Sequence, residues 1–107
     1  MKLNKYIFLL PSAVAKVSRR FEVPELSFHD LFVLYAVAYL PEGIRQISIV
    51  RHAKRMGHPI SQGSISESLS LLSAADLVHV HDMRISLAPL GREYLSAIRR
   101  YLLNKRL

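Results

Sequence analysis

Arg51, Lys54 and Arg55 stand at i, i+3 and i+4, a spacing that gathers three cations on one face of a helix. Such a face can neutralise a row of phosphates, with Arg45 before it and Arg84 beyond it as outlying cations. It also describes a solvated basic surface, because a charge run takes its meaning from its neighbours. Downstream come Gln62, Ser64, Glu67 and Ser70, with no Lys or Arg anywhere from Gln62 to Leu72. A glutamine can pair with adenine, a serine can donate or accept, and a glutamate can accept from cytosine, whereas the arginine-to-guanine pairing is not on offer. The alternative for these four side chains is plain solvent exposure.

Two helices are needed to hold these groups. Ile49, Val50, Ala53 and Met56 form an apolar stripe opposite the cations, and Gly57, His58 and Pro59 stop that helix. Ser61 is placed to cap the next, whose stripe is Ile65, Leu69 and Leu72. Two helices joined by a tight turn, the first basic outside and the second small and polar outside, suggest a helix-turn-helix for duplex DNA.

The rest of the chain supplies the frame. Leu3, Tyr6, Ile7, Leu10, Val14, Val17 and Phe21 recur at helical spacing, and Pro11 predicts either a kink or a helix that starts near Ser12. This helix packs on its own domain or on a second subunit. Ser27 caps a second helix, with Asp30 completing a capping box, and that helix runs to Leu40 as the apolar centre of the core. Ile44 to Ile47 alternates as a short strand would, before Ser48 caps the basic helix. After Asp76 breaks the reading helix, Leu77, Val78 and Val80 pass through His81-Asp82-Met83-Arg84 into Ile85, Ser86 and Leu87 as a tight hairpin. Leu90 to Leu107 closes the chain as a helix with Tyr94, Leu95, Ile98, Tyr101 and Leu102 on one stripe.

That order predicts a mainly α, single-domain winged helix-turn-helix over residues 1–107, a three-helix core with a short β-hairpin wing. Residues 1–22 form the N-terminal helix, 27–88 the winged-helix core and 89–107 the C-terminal helix.

Bulk chemistry narrows the partner. The chain has 107 residues and a formal charge of +7, which favours a polyanion. No acid lies between Gly43 and Ser66 or in the first 21 residues. Without cysteine there is no disulfide, thiolate metal site or cysteine nucleophile, which suits a cytoplasmic protein. The N-terminal apolar run from Tyr6 to Leu10 is shorter than the roughly 7–15 residues of a leader's core, so no signal peptide is expected. Leu31 to Leu40 is half the ~20-residue length a membrane span requires, so it belongs to a core and no membrane partner is expected.

No G-x-S-x-G, phosphate-cradling glycine loop or H-E-x-x-H occurs, and no enzyme is expected. His29/Asp30 and His81/Asp82 are sequence neighbours that need not face each other. His79 and His81 at i, i+2 would hold a metal only if His52 or His58 approached, and two solvent-facing strand histidines is the simpler reading. No cofactor and no metal are expected.

The chain resembles winged-helix regulators of the multiple-antibiotic-resistance (MarR) type. Ile85-Ser86-Leu87-Ala88-Pro89-Leu90-Gly91-Arg92-Glu93 is similar to that family's Leu-Thr-x-x-Gly-Arg passage from strand to helix. Ser61 to Leu77 resembles its recognition helix and the exit into the wing, and Ser27 to Leu40 the helix before the DNA-binding unit. The resemblance implies a homodimer joined through the terminal helices, with Tyr6, Leu10, Tyr94, Ile98, Tyr101 and Leu102 at the joint. It also implies recognition helices in successive major grooves of double-stranded DNA, repression of transcription, and release by a small lipophilic effector. The chain departs from the pattern in three ways: Ala88 stands where the family has threonine, Glu67 where a basic residue is common, and the wing is short with only Arg84 near its tip. The alternative function is a winged-helix module that docks a protein through its uncharged reading helix.

Overall fold

The computed structural model describes the backbone of residues 2–104 and the side chains of residues 10–104. Within that range the protein is mainly helical with one small antiparallel hairpin. The elements are α1 (Lys2–Phe21), α2 (Phe28–Tyr39), α3 (Gln46–Arg55), α4 (Gln62–Ala74), β1 (Val78–His81), β2 (Arg84–Leu87) and α5 (Pro89–Asn104).

α2 is the centre. Ser27 caps it as the spacing predicts: its Oγ accepts from the Asp30 amide at 3.1 Å, and the Asp30 carboxylate accepts from the Ser27 amide at 3.0 Å. The other Asp30 oxygen accepts from Ser68 Oγ on α4 at 2.7 Å, so one carboxylate caps α2 and ties it to α4. Leu31, Val33, Leu34, Ala36 and Val37 are buried, and α2 packs against α3, α4, α5 and β2. Its remaining side, with Phe28, Tyr35 and Tyr39, is open. The helix is the centre of the core as expected, but its apolar composition runs past the face that is buried.

α1 is one helix that passes through Pro11, rather than one that starts near Ser12. Proline removes a single ladder donor, and Pro11 is exposed. The second half of α1 is held by burial of Ala13, Val14, Val17 and Ser18 as it packs on α5 of the same chain. Ser18 Oγ and Tyr94 Oη share a buried hydrogen bond of 2.8 Å between α1 and α5, and the Phe21 ring meets Tyr94 edge-on.

The strand expected over Ile44–Ile47 shrinks to one bridge. Ile85 donates to the Ile44 carbonyl at 2.7 Å and Gly43 to the Ile85 carbonyl at 3.0 Å, after which α3 starts at Gln46. Ser48 lies inside α3 and Arg45 occupies the cap position with no side-chain acceptor. The Gln46 side chain explains the early start: its amide donates to the Gln62 carbonyl at 3.0 Å and accepts from Ser66 Oγ at 3.2 Å, fixing the first turn of α3 to α4. Met56, expected on the buried stripe, is 63% exposed because α3 ends at Arg55 and Gly57 turns the chain at φ 76°.

Ile65, Leu69 and Leu72 of α4 are buried as the stripe predicts. β1 and β2 pair in register Val78↔Leu87 to His81↔Arg84 around a two-residue turn at Asp82 and Met83. Both turn residues have positive φ, 50° and 62°, as a type I′ hairpin demands. Pro89 opens α5, where its missing N–H costs nothing. A Cβ at Gly91 would collide with the Leu77 carbonyl oxygen, so glycine lets α5 lie directly over the exit from α4.

Candidate nucleic-acid interface

An open groove of about 820 Å³ lies between the outer edge of α4 and the hairpin, with the start of α3 at one end. Gln62, Ser66, Ser70 and Ser73 line it from α4; Val80, Met83 and Ile85 line it from the hairpin side. Arg45, Gln46 and Ile47 close it at the start of α3. Along α3, Arg51 and Lys54 follow Ile47 at i+4 and i+7, so the groove edge runs on into the basic face.

Arg51, Lys54 and Arg55 are all exposed. Among the described residues, the ion pairs within 4.0 Å join His79 to Asp76 and His81 to Asp82, and neither involves a cation of α3. The outlying cations are placed differently. Arg45 stands at the groove mouth, while Arg84 folds back so that Nη1 donates to the Gly43 carbonyl at 3.2 Å. Arg84 braces the hairpin on the α2–α3 connector and has only part of its guanidinium to offer.

The four residues expected to read bases separate into two groups. Gln62, Glu67 and Ser70 are exposed on the outer side of α4. Ser64 is half-buried and spent on the cap: its amide donates to Ser61 Oγ at 3.1 Å, and its hydroxyl accepts from Ser61 at 3.0 Å. It also points about 120° round the helix from Ser70, so it cannot share that edge. Ser66 and Ser73 take its place, a pair that the sequence reading missed. Their spacing was the available signal, since 62, 66, 70 and 73 fall at i, i+4, i+8 and i+11. The apolar wall of Val80, Met83 and Ile47 was missed as well. Strand alternation alone puts Val80 on the face of buried Val78, opposite His79 and His81.

The histidines divide in the same way. His79 and His81 lie on the exposed outer face of the hairpin, where His81 Nε2 does meet Asp82 at 3.4 Å in open solvent. His52 and His58 are elsewhere, in a column of rings along the open side of α2: Phe28–His58 at 5.1 Å, Phe32–His58 at 5.7 Å, Phe32–His52 at 6.1 Å and Tyr39–His52 at 5.4 Å between centroids. His58 Nε2 is buried there with no hydrogen-bond partner. Among the described residues no three His, Asp or Glu side chains are grouped to hold a metal. Asp30 is committed to Ser27 and Ser68, so it does not form an acid–base pair with His29.

The residues expected at a dimer joint also fare unequally. Tyr94 and Ile98 are fully enclosed within the single chain and have no surface left for a partner. The stripe that carries them is the seat for α1. Burial raises the Tyr94 pKa above 10.0, partly offset by the hydrogen bond to Ser18. Leu10, Tyr101 and Leu102 are half-buried, and the side chain of Tyr6 lies outside the described residues. Leu10 helps to line a mostly apolar pocket of about 460 Å³ with Pro11, Val14, Leu26, Phe28 and Leu31. None of the described helices is long and apolar enough to cross a membrane. The chain matches no protein-family model, and no curated protein matches it.

Proposed function

We propose that the protein is a MarR-like winged helix-turn-helix regulator that binds double-stranded DNA as a homodimer and represses transcription in the cytoplasm. α3 and α4 are the helix-turn-helix and the hairpin is the wing. The observation that supports the reading is the exposure of three cations on α3, without an ion pair among the described residues, on the helix whose first turn is fixed to the exposed neutral edge of α4. Arg51, Lys54 and Arg55 neutralise phosphates, with Arg45 beside them, while Gln62, Ser66 and Ser70 reach base edges. Glu67 shares the outer side of α4 and accepts from cytosine or keeps the helix off wrong sequences. A lipophilic effector would enter the pocket beside Leu10 and Phe28.

Titration of duplex DNA at several salt concentrations tests this reading. Changing Arg51, Lys54 and Arg55 together to alanine removes three phosphate contacts, which flattens the log–log salt slope by about 2.7 and weakens binding to every sequence. Unchanged affinity and slope in that variant would overturn it. The open aromatic side of α2, with Phe28 59% and Tyr39 79% exposed, favours a second reading, a module that docks a protein. That reading predicts no salt-dependent duplex affinity in the wild type.

A further inference from the structure

We infer that the groove between α4 and the hairpin takes the thymine methyl edge of an A·T-rich duplex. The inference rests on the duplex-binding reading and specifies what that surface selects. Three large apolar side chains that the fold leaves open border this one groove: Ile47 at 40%, Val80 at 47% and Met83 at 73% exposed. Apolar surface gathered at one place in water is unfavourable until something apolar covers it.

Charge decides what that cover is. No carboxylate lines the groove. Asp76 before β1 and Asp82 at the hairpin turn lie outside the lining, in contact with His79 and His81 on the other strand face. Arg45 is the one charged side chain of the lining and Arg51 and Lys54 follow on the same side of α3, while Glu67 stands outside the lining on the adjoining face of α4, so the groove itself favours a polyanion. A duplex there meets no cation on α4 that could fork onto guanine. The major-groove edge of duplex DNA offers one apolar group, the C5 methyl of thymine. Val80 lies opposite Ile85 across the hairpin as a fixed apolar face, and the flexible thioether of Met83 can close over what lies against it. Gln62 lines the same groove from α4, and its carboxamide is the side chain there that can pair with adenine.

Alternating poly(dA-dT) and poly(dA-dU) duplexes test the inference, since they differ in the major groove only by that methyl. Each is titrated with the wild-type protein and with a Val80→Ser, Met83→Ser variant. Both positions are exposed, so the variant retains the core. The wild type is expected to prefer the thymine duplex by about fourfold for each methyl it covers. The variant is expected to lose that preference and keep its salt slope. Equal wild-type affinity for the two duplexes would overturn the inference and leave duplex binding standing. A preference that survives in the variant would overturn its assignment to this groove. Binding to neither duplex at low salt would overturn the duplex-binding reading, and the inference with it.

Discussion

α3 and α5 each carry three exposed cations, Arg51, Lys54 and Arg55 on one and Arg92, Arg99 and Arg100 on the other. Their surroundings set them apart. The α3 cations follow, one and two turns on, from Ile47 at the end of an open groove whose α4 wall is a row of hydrogen-bonding side chains. Those of α5 sit on the back of a helix whose inner face seals Tyr94, Leu95 and Ile98 against the core. Arg100 meets Lys16 and Arg20 across a shallow crease between α1 and α5, with Val17, Ala97 and Asn104 as neutral neighbours. Equal charge thus serves two ends. On α5 it solvates the outside of a structural helix, and on α3 it lies toward the surface proposed to read bases. Charge count cannot make that distinction, whereas the adjoining wall can.

The comparison predicts opposite outcomes for the two helices. The largest effect on stability belongs to α5: Tyr94→Ala should cost about 3–5 kcal/mol in denaturant unfolding, since it empties a fully buried site. A loss below 1 kcal/mol would mean that the α1–α5 seat is not what holds the terminal helices. Next comes DNA affinity, where the α3 triple alanine should lower binding at least tenfold at moderate salt. The matching triple alanine of Arg92, Arg99 and Arg100 should change it by no more than about twofold, as its charges act only at long range. Equal losses from the two triples would erase the distinction.

Much of this arrangement can be read from the sequence, and the gaps have physical causes. The stripe Ile65, Leu69 and Leu72 and the Ser27–Asp30 box were legible because each is a local pattern with a local consequence. The start of α3 was not, because it depends on Gln46 reaching across to Gln62 and Ser66, a contact between residues far apart in sequence. The phase of α4 was ambiguous for another reason. Serines recur all along it, so polarity alone cannot tell buried Ser68, bonded to Asp30, from exposed Ser70. Tyr94 and Ile98 show a third limit: an apolar stripe announces that it will be covered without saying which helix covers it.

Smaller effects sharpen the account. Tyr94→Phe should cost about 1–2 kcal/mol by leaving Ser18 unsatisfied in the core. The same variant should change the alkaline limb of stability. Burial raises the Tyr94 pKa above 10.0, so the folded state holds the phenolic proton after the unfolded chain has lost it. Stability from this group is complete below pH 10.0 and falls as pH rises above it; the fall should be shallower in Tyr94→Phe. A limb of unchanged steepness would mean that Tyr94 ionises as freely in the fold as outside it. Smallest of all, Met83→Gly relieves a side chain held at φ 62° and should add about 0.5–1 kcal/mol, while weakening any contact made by the Met83 thioether.

The most direct test of the account is a map of backbone amide chemical shifts on adding a short A·T-rich duplex. Shifts concentrated at Arg51 to Arg55, along the outer edge of α4 from Gln62 to Ser73 and at Val80 to Met83 are the predicted result. Shifts confined to α1, α5 or the aromatic side of α2, or none at all at low salt, would contradict it.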